Sequence, residues 1–194
     1  MKQSIKFFAL AAIIAIFFTS CDKKEESNAA NGMEKSNTVS ESENKGKSPI
    51  VKFSTADLNG KSVTNEIFEK YDVTLVNIWA TWCPPCKAEL PDLEKTYKKY
   101  SQQNCNVMAI TMDVSAEEPE MLDMAKDILK DSGCSFLGLQ NCNDFAQIIS
   151  GLPGVPASFL VDKTGKIIDG SFHVGRLDEK GFEELFEKGL KAIK

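Results

Sequence analysis

Two cysteines flank two prolines in Cys83-Pro84-Pro85-Cys86, and these are the residues whose types and spacing most clearly promise chemistry. A thiolate attacks disulfides, and a second thiol one helical turn further on is close enough to close a small disulfide with the first. The chemistry is reversible dithiol–disulfide exchange, with Cys83 the exposed nucleophile and Cys86 the resolving thiol. The elements around the motif have to place it. Val73 to Ala80 is a nearly continuous apolar, β-branched run, the pattern of a central strand covered on both faces. Residues 84–101 follow with Leu90, Leu93, Tyr97 and Tyr100 at helical spacing. Cys83 then stands at a helix N-terminus, where unpaired N–H groups and the macrodipole favour an anion and bring the thiol pKa below its usual ~8.5. Pro84 is tolerated in the first turn because no N–H partner is needed there.

Competing uses of the same residues are weaker. A structural zinc site generally needs a second ligand pair, and the other cysteines are singletons while His173 is the one histidine. A permanent structural disulfide would close so short a loop that it adds little constraint. Cys105 opens a buried run and reads as a small hydrophobe. Cys134 and Cys142 would lie about 26 Å apart along a straight strand at roughly 3.3 Å per residue, so a bridge between them requires the chain to loop back. Trp82 abuts the motif as a shield and substrate contact, Trp79 reads as core, and His173 as a polar edge residue.

The remaining elements alternate. Cys105 to Met112, Ala157 to Val161 and Lys166 to Phe172 read as strands, with Asp162-Lys163-Thr164-Gly165 as a hairpin turn. Val51 to Phe53 and Val63 read as edge strands around an Asn59-Gly60 turn. Residues 116–131 follow a capping box, Ser115 with Glu118, and residues 179–193 carry an amphipathic stripe through Phe182, Leu185, Phe186, Leu190 and Ile193. This order predicts an α/β domain on a mixed central sheet, its first strands parallel and its last pair antiparallel.

The chain has 194 residues and a formal net charge of −5, a balance that disfavours a nucleic-acid binder. It divides into three regions. Residues 1–20 hold Lys2 and Lys6 and then twelve apolar residues from Phe7 to Phe18, the form of a signal segment and too short to span a bilayer, which takes about 20. Phe18-Thr19-Ser20-Cys21 resembles a bacterial lipobox, which implies lipidation at Cys21. Residues 22–48 contain eleven charged residues and no aromatic, so they cannot bury enough surface to order themselves and read as a tether behind the anchor cysteine. Residues 49–194 form the folded domain.

Trp82-Cys83-Pro84-Pro85-Cys86 after an apolar strand resembles the active site of thioredoxin-fold proteins. Pro91 resembles the helix-kinking proline of that fold, and Gly154-Val155-Pro156 the cis-proline loop that faces the dithiol. The hairpin around Asp162 and the helical insert between residues 113 and 133 are similar to the extracytoplasmic TlpA/ResA-like branch. The resemblance implies a thioredoxin-like fold with N-terminal edge strands. It also implies a cis bond before Pro156 that leaves the Val155 backbone free to contact substrate. In ordinary thioredoxins a buried aspartate occupies the position of Asn77, which cannot titrate. ResA-like members carry a glutamate where this chain has Glu89, and its implied role is to take the Cys86 proton during resolution, with a pKa raised by partial desolvation.

The resemblance further implies a monomeric reductase with no cofactor beyond the redox-active pair. Its electrons would come from a membrane donor of the CcdA/DsbD kind. Its substrates would be disulfides of exported proteins such as apocytochrome c or methionine sulfoxide reductases. Two other readings stay open: a peroxiredoxin-like peroxidase, and a metal chaperone or binding lipoprotein on the same fold.

Overall fold

The computed structural model describes residues 49–194. The expected signal segment 1–20, the lipidation site Cys21 and the tether over 22–48 lie outside the described residues. In chain order the elements are β1 (Ser54–Ala56), β2 (Ser62–Thr64), β3 (Val73–Trp79), α1 (Pro84–Tyr100), β4 (Cys105–Thr111), α2 (Pro119–Asp131), β5 (Leu137–Leu139), α3 (Ala146–Ser150), β6 (Ala157–Asp162), β7 (His173–Val174) and α4 (Glu179–Ala192).

Five strands form one sheet in the order β5-β4-β3-β6-β7. β3, β4 and β5 run parallel, while β6 and β7 are antiparallel to their neighbours. Every residue of β3 and β4 is buried, which is why both read as nearly continuous apolar runs instead of alternating ones. On one face, Leu75, Trp79, Val107 and Ala109 pack against Leu90 and Leu93 of α1, Leu129 of α2, and Phe182 and Phe186 of α4. On the other, Val76, Ile78, Met108, Ile110 and Phe159 pack against Phe53, Phe68 and Phe145. Each of the Val, Leu, Ile, Met and Phe side chains among these, fully withdrawn from water, contributes about 1.5–3 kcal/mol. Tyr100 and Phe186 stack with ring centroids 4.7 Å apart and hold α1 to α4. Among the described residues no helix is long and apolar enough to cross a membrane.

Three elements depart from expectation, each for a local reason. The edge hairpin forms immediately around the Asn59-Gly60 turn, as β1 and β2, and not at Val51–Phe53. Asp57 Oδ1 accepts from the N–H groups of Asn59 and Lys61, and Gly60 takes φ +85°, so pairing starts beside the turn. Val51 instead donates its N–H to Gly165 O and is spent on the core.

Helix α2 begins at Pro119, three residues later than the capping box suggests. A residue before proline avoids helical dihedrals, and Glu118 sits at φ −123°, ψ 75°, so Ser115 and Glu118 form a turn ahead of the helix, Glu118 N–H donating to Ser115 O at 3.3 Å and the Ser115 hydroxyl to Glu118 Oε2 at 3.4 Å.

The expected strand 166–172 is broken. Ile168 N–H reaches Leu160 O at 2.8 Å, then Gly170 turns at φ +67°. The Ser171 hydroxyl takes the bond from Leu160 N–H that the ladder would have taken, and regular pairing resumes only at β7.

Candidate active site

β3 ends at Trp79, and the chain turns through Ala80, Thr81 and Trp82 before Cys83 caps α1. Cys83 N–H donates to Ala80 O at 3.1 Å, closing the turn. Cys83 has extended dihedrals, and its sulfur accepts from Cys86 N–H at 3.2 Å, so the sulfur itself satisfies one of the unpaired donors of the helix start. Pro84 and Pro85 fill the next two positions, where absent N–H groups cost nothing. Cys83 and Cys86 are joined by a disulfide with their Cα atoms 5.3 Å apart.

Cys83, expected to be exposed, is only 2% exposed in this oxidised form. The Val155 carbonyl oxygen lies 3.7 Å from its sulfur, and Cys86 lies behind it, wholly buried. The Val155-Pro156 peptide is cis, and Pro156 O accepts from Gly175 N–H at 2.8 Å. Trp82 stands out into solvent at 62% exposure beside the disulfide, while Trp79 is core.

Glu89 lies on α1, one turn beyond Cys86, and is 1% exposed. Its Oε1 accepts from Asn77 Nδ2 at 2.7 Å and its Oε2 from Leu177 N–H at 3.0 Å. Burial pushes its carboxyl up to about 7. The Leu177 N–H, the Asn77 amide and the Arg176 charge pull the other way and do not cancel it. A carboxyl poised near neutrality one helical turn from Cys86 fits proton transfer at working pH.

Several groups at the site were not singled out beforehand. Asp113 accepts from Thr81 N–H at 3.0 Å and from the Thr81 hydroxyl at 2.6 Å, so the loop after β4 holds the turn that carries Trp82 and Cys83. The signal was available, because parallel strands in register (Trp79 opposite Thr111) bring their carboxyl ends together. Ser158, directly across from Asn77 on β6, and the backbone of Leu177 could be placed only by the fold.

The remaining thiols are free and dispersed. Cys134 packs on the α1 side of the sheet, with its sulfur 3.7 Å from Leu90 O, and Cys142 packs on the opposite side, so the two do not pair. Burial pushes the Cys105 thiol up to about 11 and the Cys134 thiol up to about 12. Among the described residues no group of three or more His, Cys, Asp or Glu side chains is placed to hold a metal ion.

This sheet and its strand-end cysteine pair define a class, the thioredoxin-fold thiol–disulfide oxidoreductases, and dithiol–disulfide exchange is the chemistry that class performs. Within it, the AhpC/TSA family matches residues 46–169, and the chain belongs to that family. It is 32% identical over 142 residues to the thiol-disulfide oxidoreductase ResA of Halalkalibacterium halodurans, covering 71% of this chain and 73% of that one. It is 35% identical over 155 residues to the thiol:disulfide interchange protein DsbE of Haemophilus influenzae, covering 76% and 74%. A solved thiol:disulfide interchange protein of the thioredoxin family from Chlorobium tepidum shares the fold at a TM-score of 0.62 and 24% identity, over 78% of this chain and all of that one.

Proposed function

We propose that this oxidoreductase works outside the cytoplasm, tethered to a membrane through lipid on Cys21, and reduces disulfides of exported proteins. The observation that carries the reading is the Val155 backbone, whose carbonyl oxygen lies 3.7 Å from the attacking sulfur. An extended substrate strand pairing with Val155 would bring its own disulfide onto Cys83.

The reduced enzyme attacks through the Cys83 thiolate, and one substrate sulfur leaves with the electron pair. Glu89 accepts the Cys86 proton, and the Cys86 thiolate then attacks Cys83 in the mixed disulfide. The second substrate sulfur is released and the Cys83–Cys86 bond of this structure forms. Trp82 and Pro156 flank the entering strand. Two electrons must return to the pair before the next cycle, and a membrane donor of the CcdA/DsbD kind is the source that suits a tethered protein. Apocytochrome c and methionine sulfoxide reductases are the substrate kinds considered, and the protein acts as a monomer.

Replacing Cys86 with Ala leaves mixed disulfides on Cys83 unresolved. Expressed in native membranes, Cys86→Ala should carry covalently attached exported proteins. Capture of small thiols alone would overturn the protein-reductase reading. Cys21→Ser should move the protein from the membrane to the soluble fraction, and unchanged partition would overturn the lipid anchor.

A further inference from the structure

Asn77 stands in the middle of the buried polar network and uses only half of its amide. Nδ2 donates to Glu89 Oε1 at 2.7 Å and to Ser158 Oγ at 3.0 Å, whereas Oδ1, just as buried, has no partner. A buried carbonyl oxygen left without a donor is costly, and one retained at a working site invites a state in which it is used. Glu89 supplies that state. Both of its oxygens act as acceptors here, one from Asn77 and one from Leu177 N–H, which suits a carboxylate. A protonated carboxyl has an O–H to place, and both of these neighbours present donors to it. Turning the Asn77 amide over about its last side-chain bond replaces one of those donors with the unused oxygen. Ser158 can stay in place through the change, because a hydroxyl either accepts or donates.

We propose that Asn77 is a positioning residue whose amide turns over with the proton on Glu89, presenting nitrogen to the carboxylate and oxygen to the acid. The inference rests on the reading of Glu89 as the acceptor of the Cys86 proton. In that step the Cys86 S–H bond breaks and the proton goes to Glu89. The thiolate pair forms the bond to Cys83, and the Cys83–substrate bond breaks with its electrons leaving on the substrate sulfur. When Glu89 later gives the proton to solvent, the amide turns back. The acid is thus held while resolution proceeds and released afterwards, which a fixed amide nitrogen would oppose. The other charged group facing the carboxylate is Arg176 beside Leu177, itself 3.8 Å from Asp92, and Cys86, one turn back on α1, is held in the disulfide. From the sheet, Asn77 and Ser158 face it and are neutral.

Nuclear magnetic resonance of the whole chain tests this, with 15N in asparagine side chains and 13C at the glutamate carboxyl carbons. The Asn77 amide proton shifts should change with pH at the same midpoint as the Glu89 carboxyl carbon, and should stay constant across that range in Glu89→Gln. In Asn77→Leu the Glu89 midpoint should move upward, because the charge-assisted bond lost by the carboxylate outweighs the neutral bond lost by the acid, and a midpoint that stays put or falls overturns the positioning role. An Asn77 amide that stays still while Glu89 titrates overturns the turning amide and leaves Glu89 as proton acceptor. A Glu89 carboxyl that does not titrate between about pH 5 and about pH 9 overturns both.

Discussion

The backbone N–H of Leu177 donates to Glu89 Oε2 over 3.0 Å across a sequence separation of 88 residues. This bond fastens the loop before α4 to the helix that carries the dithiol. The same loop, two residues earlier, donates from Gly175 N–H to Pro156 O. Glu89 and the cis-proline Pro156 are therefore held by one short stretch of chain.

Glu89 should make stability depend on pH in a definite direction. Its carboxyl stands at 4.5 in an ordinary setting and at about 7 when folded, so the folded protein binds this proton more tightly. The associated stability is complete below about 4.5 and is lost as pH rises through about 7, an effect of about 3 kcal/mol. Urea unfolding of the oxidised protein on either side of this window should show the loss, and Glu89→Gln should remove it. An equal slope in both proteins would refute the assignment.

Asp113 should matter to the site through Thr81. Asp113→Ala strips the partners from a backbone N–H and a largely buried hydroxyl, and should destabilise the protein by about 2 kcal/mol at unchanged denaturant slope. It should also alter Trp82 fluorescence in the folded protein, because the turn that carries the ring loses its fastening. Asp113→Asn keeps one carbonyl acceptor and should do less on both measures.

Trp82→Ala separates recognition from folding. The ring is 62% exposed, so its removal should change stability by no more than about 0.5 kcal/mol. Reduction of protein disulfides should weaken through a higher KM, while reaction with a small aromatic disulfide changes little. A loss confined to kcat would argue against a contact role.

Thiolate-selective alkylation of the reduced protein near neutral pH should spare Cys105 and Cys134. Burial holds these thiols up to about 11 and about 12, leaving almost no thiolate to react. Peptide mapping after brief exposure to iodoacetamide reads this directly. Early modification at either position would mean that the packing around that thiol opens locally on that timescale.

Much of the site was legible because its signals are local. A dithiol between a β-branched run and an amphipathic helix announces strand, turn and N-cap together, and the resemblance to ResA-like proteins singled out Glu89, one turn along α1. The turn at Asn59-Gly60 and the strand at Val63 were legible, but the first strand of the hairpin was misplaced because Val51 and Phe53 are apolar for a tertiary reason, filling the core beneath the sheet, and β-propensity does not distinguish that from pairing. Strand 166–172 looked continuous because a serine hydroxyl standing in for a backbone group leaves no periodic trace. α3, with five residues, is too short to show a helical repeat, and neither it nor the 3-10 turn at Asn143–Phe145 was anticipated. Asn77 was noticed for the charge it lacks, whereas its two donated hydrogen bonds depend on β6 and α1 arriving beside it.

The near-complete enclosure of Cys83 has a kinetic side. A sulfur with almost no surface collides rarely with thiols free in solution, whatever the driving force. A partner able to lie along Val155 supplies the approach that random encounter does not. The pair can then remain out of equilibrium with the surrounding thiol pool, and the choice of partner rests on fit to a backbone edge more than on redox strength. In this sense the enclosure acts as insulation, keeping the electrons of the reduced pair from leaking to whatever small oxidant happens to pass.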